Sequence, residues 1–490
     1  MEPLLILISI VLYFSVIFGI SRLSSRKADN ESFFVGNRKS PWYVVAFAMI
    51  GAAISGVTFV SVPGMVAGGS FAYLQMVMGF AVGQVIIALI LIPLFYRMNL
   101  TSIYGYLENR FGISSYKTGA WFFFISKMLG AAVRLFLVCA VLQFLLFDHF
   151  RIPFILNVAI SVAIVWLYTY KGGVKTLIWT DSFKTLCLTV SVVMCICYIA
   201  SGMGMSFAGM IRAVNGHDFS QIFFFDSIND RRYFFKQFLA GVFTVIATTG
   251  LDQDFMQKNL SCRNPRDSQK NLIVSGILQI FIILLFLVLG VLLYMFAATK
   301  GVTVPARSDE LFPMLATGGY FPVIVGILFV TGLVSTAYAA AGSALTSLTT
   351  SFTIDILGGA GNSAKHVTGR RKRVHVAMAV TMGAVIILIN LLNNTSVINA
   401  VYVLASYTYG PILGMFAFGI LTRRSVRDRY IPLVAILSPL LSLVIDLHSE
   451  KWLNGYSFSY ELLIMNALFT FAGFLLFSRK ETPANSILHA

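Results

Sequence analysis

The chain has 490 residues, of which 58% are hydrophobic and only 11% are charged. A soluble domain carries about 25% charged residues, so this composition excludes an ordinary water-soluble protein. The net charge of +16 does not indicate a nucleic-acid partner, because the lysines and arginines lie in short loops between apolar runs.

Apolar runs long enough for a helix to cross a bilayer recur along the whole sequence. We predict an all-α polytopic membrane protein with about thirteen transmembrane helices in a single domain, 1–490. The predicted spans are 3–21, 42–66, 71–96, 119–147, 153–170, 177–202, 238–257, 272–298, 321–356, 374–394, 397–421, 430–446 and 459–477.

Lysine and arginine are divided unequally between the loops on the two sides. Loops that follow odd-numbered spans hold 25 of them, and the opposite loops hold 8. Because positively charged loops stay in the cytoplasm, we predict an extracellular amino terminus and a cytoplasmic carboxy terminus. The expected location is the inner (plasma) membrane of a bacterium.

The number and order of the spans match an inverted-topology repeat. Spans two to six cover 42–202 and spans seven to eleven cover 238–421, and an odd number of spans in each group gives the groups opposite orientations. The segment 3–21 is then an extra leading helix, and 430–477 forms two peripheral helices.

Small and polar residues interrupt the first span of each group. Gly51, Ser55 and Thr58 lie within span two, and Thr248 and Thr249 precede a glycine within span seven. Interrupted spans at matching places in two repeats indicate a transporter binding site. The alternative is that these residues only allow neighbouring helices to pack closely.

Two groups of charged residues lie inside apolar spans. Asp181 is a carboxylate in span six and suits a hard cation such as sodium, unless it only forms an ion pair with Lys184 one helical turn away. Lys127 and Arg134 share one face of span four. The Arg134 guanidinium matches a carboxylate on a solute, or else it has a structural partner such as Asp181 or helix-end carbonyls.

The sequence has no phosphate-binding loop, no HExxH motif and no nucleophile elbow. We therefore expect neither an enzyme nor an ATP-driven pump, and the energy for transport has to come from an ion gradient.

Three ordered motifs resemble the sodium:solute symporter family: Gly172-Gly173 with Trp179-Thr180-Asp181, the stretch Asp252-Gln253 to Gln257-Lys258, and Ser347 to Asp355. The resemblance implies a LeuT-type fold of five plus five core helices. It also implies sodium as the co-transported ion and a small-molecule solute, with the lipid bilayer as surroundings and no obligatory protein partner.

The resemblance also implies site residues. A central sodium site would use backbone oxygens near Gly51 and Ile54 together with the position of Ala339, and a second ion site would use Asp181 and Ser343. The positions that resemble the solute contacts of the sialic-acid-transporting branch, together with the threonines of the second break, are Ser55, Thr58, Gln75, Arg134, Thr248 and Thr249.

The sequence departs from the family pattern at the central sodium site. The hydroxyl pair that normally completes it falls on Ala339 and Ala340, and the Ser335-Thr336 pair lies four residues earlier. Either the register shifts by one turn or the site is weakened, because a methyl group offers no oxygen to sodium. Lys184, where the family often has a neutral polar residue, is a second departure.

The sequence therefore predicts a secondary active symporter that couples sodium entry to uptake of a small polar solute, such as a carboxylated sugar, another sugar or a polyol. Proton coupling or sodium-independent transport by the same fold is the main alternative. A transporter-like membrane sensor and a channel are further alternatives.

Overall fold

The computed structural model describes residues 3–479 except 27, 359–363, 393–394, 454–455, 457 and 459. The α-helices of the first half are α1 Pro3–Ser24, α2 Asn30–Val35, α3 Trp42–Ala53, α4 Gly56–Gly64, α5 Val66–Gly69, α6 Tyr73–Ile86, α7 Ile92–Arg97, α8 Gly105–Arg110, α9 Ile113–Leu142, α10 Phe154–Thr169, α11 Val174–Gly202 and α12 Phe207–Asn215.

The α-helices of the second half are α13 Phe234–Val245, α14 Gln253–Asn259, α15 Pro265–Thr299, α16 Leu311–Thr317, α17 Val323–Ser351, α18 Ala364–Leu392, α19 Thr395–Leu421, α20 Ile431–Trp452 and α21 Leu462–Leu476. Two short strands, β1 Ser425–Val426 and β2 Ser478–Arg479, pair antiparallel beside the last two helices.

The described helices confirm an all-α polytopic protein, in which eight to ten helices have the length and composition of a crossing, against the thirteen predicted. Eight are long and apolar enough to cross a bilayer alone: α1, α6 continued through α7, α9, α11, α15, α17, α18 and α20. Two more crossings are bent pairs, and α10, α19 and α21 contribute shorter apolar segments. Helix α18 begins about ten residues before the predicted span 374–394, because its basic residues are good helix formers and continue the helix beyond the apolar part. The division into repeats at 42–202 and 238–421 stays a prediction.

The first bent pair is α3 and α4, which meet at 66°. The chain leaves the helix where Ile54 and Ser55 take extended conformations. The Ser55 hydroxyl accepts a hydrogen bond from the Thr58 backbone N–H at 3.3 Å, and the Thr58 hydroxyl accepts one from the Ser55 N–H at 3.4 Å. This reciprocal cap satisfies the free N–H groups at the start of α4, so the two hydroxyls stabilise the break itself.

The second bent pair is α13 and α14, which meet at 73° after a wide helical turn, Ile246–Gly250. Asp252 then takes an extended conformation and caps α14. Its Oδ1 accepts hydrogen bonds from the backbone N–H groups of Asp254 at 2.8 Å and Phe255 at 3.4 Å. Both breaks therefore have a side-chain cap at the start of the second half-helix.

Two glycines fix the position of α11 beside the first break. A Cβ on Gly51 would clash with the Thr185 hydroxyl and would lie 2.6 Å from the Asp181 carbonyl oxygen, so only glycine lets α3 lie this close to α11. Gly173, just before α11, has a φ of +48°, and a side chain there would meet the Phe33 ring.

An aromatic cluster holds the second half of the first broken helix. Phe59 on α4 is fully buried against Phe286 of α15, Phe312 of α16 and Phe329 of α17, with ring centroids 5.4 to 5.7 Å away. Edge-to-face and stacked rings at these distances pack α4 firmly against its neighbours.

Candidate functional site

A cavity of about 470 Å³ lies between the two helix breaks. Its walls come from α3, α9, α13 and α14, α17, α19, α20 and α21. The polar residues that line it are Ser126, Lys127, Arg134, Thr244, Thr248, Asp254, Ser343, Tyr407, Tyr409, Asp446, Tyr460 and Asn466. This volume falls within the range of about 300–1,000 Å³ that is usual for small-molecule sites.

A chain of buried charges runs from α11 to the cavity wall. Lys258 Nζ lies 2.8 Å from Asp181 Oδ2 and 3.6 Å from Asp254 Oδ1, and both the Lys258 and the Asp181 side chains are inaccessible to solvent. Lys127 Nζ in turn lies 2.8 Å from Asp254 Oδ2 and 3.2 Å from Asp252 Oδ2. Alternating charges of this kind compensate one another, so removal of one member leaves its partner buried and unpaired.

Two hydroxyl groups complete this network. The Ser343 hydroxyl donates to Asp254 Oδ1 at 2.5 Å, and the Tyr409 hydroxyl donates to Asp252 Oδ2 at 2.6 Å. The network therefore connects the second helix break to α9, α11, α17 and α19. The structure brings the two predicted ion-site residues, Asp181 and Ser343, into one network, with Lys258 and Asp254 between them.

The ion pair between Asp181 and Lys184, the alternative to cation binding by Asp181, does not form. Lys258, on α14, reaches Asp181 instead, while the Lys184 ammonium turns towards α3. The other carboxylate oxygen, Asp181 Oδ1, is buried and has no hydrogen-bond partner among the described residues. A buried carboxylate oxygen without a donor is suited to bind a cation.

The predicted central sodium position is the end of α3. The Gly51 carbonyl accepts a hydrogen bond from the Lys184 ammonium, which also donates to the Thr336 carbonyl at 3.4 Å. Ile54 has the extended backbone of a helix end. Ala339 is buried and does not line the cavity.

The neighbouring hydroxyl pair on α17 is used within its own helix. The Ser335 hydroxyl donates to the Gly332 carbonyl at 2.9 Å, and the Thr336 hydroxyl donates to the Leu333 carbonyl at 2.7 Å. Both side chains are fully buried. This is the local bonding that serine and threonine often form inside helices.

Arg134 projects from α9 into the cavity and is exposed there. It forms no hydrogen bond or ion pair with any residue in the described part of the chain, so neither of the predicted structural partners, Asp181 or helix-end carbonyls, holds it. An arginine beside a cavity without an acceptor can bind a carboxylate through two parallel hydrogen bonds.

Only some of the remaining residues predicted to contact the solute line the cavity. Thr248 lines the cavity, whereas Ser55, Thr58 and Thr249 do not. Gln75 lies outside the cavity and is fully buried.

The polar atoms of Gln75 are already bonded to backbone. Its amide nitrogen donates to the Arg232 carbonyl at 2.8 Å, and its amide oxygen accepts from the Phe224 N–H at 3.4 Å. The side chain therefore attaches the loop between α12 and α13 to α6.

Several charged residues of this site were not predicted from the sequence. Asp254 and Lys258 belong to a motif that served only to recognise the resemblance, although they are charged residues in or beside an apolar span just as Asp181 is. Asp446, at the end of predicted span twelve, lines the cavity and accepts a hydrogen bond from the Tyr407 hydroxyl at 3.1 Å. The rule that applies to Asp181 could have found all three.

The crossing helices, the two breaks and the cavity between them define a multi-pass membrane carrier. The model of the sodium:solute symporter family matches residues 33–428, and the chain belongs to this family.

The relatives cover most of the chain at low identity. The sodium/sialic acid symporter NanT of Aliivibrio fischeri is 23% identical over 91% of this chain and 87% of its own length. The sodium/glucose cotransporter of Vibrio parahaemolyticus is 23% identical over 70% of this chain and 67% of its own.

Among solved structures, a substrate-bound, outward-open Na+-coupled sialic acid symporter superposes with a TM-score of 0.81 at 17% identity. The superposition covers 96% of this chain and 97% of the other. It confirms the LeuT-type fold.

Proposed function

We propose that this protein is a secondary active symporter that takes up a small carboxylated solute, such as sialic acid, together with sodium. The observation that carries the proposal is the Arg134 guanidinium, which faces the cavity between two broken helices and has no acceptor among the described residues. The names of two relatives, both sodium/sialic acid symporters, support the same solute class.

In this proposal the solute carboxylate binds Arg134, and the remainder of the solute contacts the polar wall of the cavity. Thr248, Asp446 and Asn466 offer donors and acceptors suited to hydroxyl and amide groups. A cavity that combines the Arg134 guanidinium with several other polar groups favours a carboxylated sugar over a purely apolar acid.

Sodium binds beside Asp181, whose Oδ1 lacks a donor among the described residues. A bound cation there adds positive charge to the network that reaches Asp254 at the cavity wall, so sodium and an anionic solute favour each other's binding. By linkage, each ligand increases the affinity for the other by the same factor.

Transport follows an alternating-access cycle, in which the ligands favour the conformation that binds them better. The location that fits is a bacterial inner membrane, with the amino terminus outside, as the loop charges indicate. The relatives are transporters, which agrees with a role other than catalysis.

Lys184 favours a second candidate function, sodium-independent transport of the same solute. Its ammonium already lies at the Gly51 carbonyl, where the resemblance predicts one of two sodium ions. The unpartnered oxygen of Asp181 gives preference to sodium coupling.

The test is concentrative uptake into proteoliposomes that contain the purified protein. Sialic acid, lactate, glucose and proline would be offered under an inward gradient of sodium, lithium or protons. We expect sodium-driven accumulation of sialic acid above the other solutes. Equal accumulation without sodium would support the second candidate, and no accumulation of any carboxylated solute would contradict the proposal.

A further inference from the structure

The end of α3 lies inside the protein, where its free carbonyl groups need partners. A helix leaves its last four carbonyl groups without intrahelical partners and carries partial negative charge at that end. Gly51 lies in the last turn of α3, which ends at Ala53, deep inside the helix bundle. An oxygen at such a place needs a donor or a positive ion.

Lys184 supplies that positive charge. Its side chain is fully buried, and its ammonium donates to the carbonyl oxygens of Gly51 and Thr336. The ammonium therefore connects the end of α3 to the middle of α17 from a third helix, α11.

Among the described residues, no carboxylate forms an ion pair with Lys184. The charged groups that act on it are Asp181 and Asp254, together with the cations Lys258 and Arg134. Asp181 is already paired with Lys258, and Asp254 is paired with Lys127. Two backbone oxygens, that of Gly51 on the broken helix and that of Thr336 on α17, are thus the direct ligands of the Lys184 ammonium.

Four nearby residues on α17 provide no side-chain oxygen that is free of another hydrogen bond. Ala339 and Ala340 offer methyl groups, and the Ser335 and Thr336 hydroxyls donate to carbonyls of their own helix. A free cation at the Gly51 carbonyl would also have to lie within a few ångströms of the ammonium, where the two like charges repel each other strongly.

We propose that the Lys184 ammonium is a built-in cation at the first helix break, which holds α3 to α17 and excludes sodium from the Gly51 and Thr336 oxygens. The inference rests on the proposed function only in that sodium is the ion concerned. Sodium coupling then depends on the site at Asp181 alone. The contact between α3 and α17 needs no bound sodium.

The test needs no solute and no transport. Full-length wild-type protein and the Lys184→Ala variant would be purified in detergent, and their thermal unfolding followed by tryptophan fluorescence in sodium chloride and in choline chloride at equal ionic strength. We expect Lys184→Ala to unfold at a lower temperature in choline. Sodium should then raise its Tm in a saturable manner and by more than it raises the Tm of wild type, because the variant has gained a sodium site.

The matched control is Lys236→Ala, which removes another buried lysine, one whose Nζ lies 3.2 Å from Glu461 Oε1. Its Tm should fall without any additional response to sodium. Lys184→Gln, which keeps hydrogen-bond donors but loses the charge, replaces the alanine variant if that variant is not recovered folded, with the same expected response.

An equal sodium response in wild type and both Lys184 variants would overturn the proposal, and so would variants that do not respond to sodium. A second readout is the sodium activation of uptake, whose Hill coefficient should be higher in the Lys184 variants than in wild type. If neither wild type nor the variants transport a carboxylated solute, the proposed function is wrong. The unfolding experiment still decides the role of Lys184 in that case.

Discussion

Arg134 is a cation on the cavity wall that forms no ion pair with any described residue. The charges from Asp181 to Asp252, by contrast, are paired with one another. We therefore propose that a ligand supplies the anion for this guanidinium. Its planar shape and its paired donors favour a carboxylate over a single-point anion.

We expect Arg134→Gln to raise the KM for a carboxylated solute. A hydrogen bond to a charged group contributes about 1.5–3 kcal/mol, which corresponds to roughly a tenfold to hundredfold loss. The measurement is the initial rate of uptake against solute concentration. Arg134→Lys should lose affinity as well, because a lysine cannot form the bidentate pair. An unchanged KM in both variants would remove Arg134 from the solute site.

We expect Asp181 both to neutralise Lys258 and to bind sodium, and two variants can separate these roles. Asp181→Asn leaves the Lys258 ammonium with a weaker buried partner, and loss of one member of a buried pair destabilises a protein by about 3–5 kcal/mol. The double variant Asp181→Asn with Lys258→Met should recover much of the thermal stability while sodium activation of uptake stays absent. A double variant with the sodium activation of wild type would show that Asp181 binds no coupling ion.

At the level of helices, the start of α9 depends on a distant carboxylate. Asp428 accepts hydrogen bonds from the backbone N–H groups of Ser114 at 2.7 Å and Ser115 at 2.8 Å, and from the Ser115 hydroxyl at 2.6 Å. The negative charge also lies at the positive end of the helix dipole. Since α9 carries both Lys127 and Arg134, this cap attaches the site helix to the segment before α20.

We predict that Asp428→Ala lowers the free energy of unfolding by about 1 kcal/mol, the usual contribution of a helix cap. Denaturant or thermal unfolding of the purified variant measures this. Asp428→Asn keeps the acceptor oxygen and should lose less. Equal stability of wild type and Asp428→Ala would contradict this prediction, because it would show that the Asp428 carboxylate does not stabilise the start of α9.

The close contact between α3 and α11 predicts that a side chain larger than that of Gly51 destabilises the protein. Gly51→Ala should destabilise the protein by about 1–3 kcal/mol, because the new methyl group meets the Asp181 carbonyl and the Thr185 hydroxyl. Gly19→Ala is the matched control, since nothing lies within 4 Å of a Cβ at that helix position. Similar thermal unfolding of the two variants would contradict the close approach of α11 to the first break.

For the molecule as a whole, the apolar runs were sufficient to predict an all-α membrane protein and the order of its long helices, because the bilayer fixes the length of each span. The sequence also indicated both breaks, from the glycines and threonines inside spans. It could not predict the partner of Asp181, since Lys258 lies 77 residues away and only the fold brings the two together. Lys184 was one helical turn away and was therefore the nearer choice by spacing alone.

The surroundings of the predicted solute residues depend on the fold in the same way, and their role in solute binding stays a prediction. Ser55 and Thr58 have the chemistry of ligands, but local geometry uses them to cap α4. The Gln75 amide could also bind a solute by its chemistry. In the folded chain it forms hydrogen bonds with backbone groups of the loop that follows α12. Residue type indicates what a side chain can bind, and tertiary structure decides what it does bind.

The central claim is that sodium and a carboxylated solute cross the membrane together, and solute-dependent sodium uptake tests it most directly. Proteoliposomes containing wild-type protein would receive radioactive sodium outside, with no sodium gradient, and an inward gradient of sialic acid. The claim predicts that the solute gradient drives sodium inward in wild type, and that Arg134→Gln abolishes this flux at the same solute concentration. Sialic acid uptake in wild type without accompanying sodium entry would contradict it.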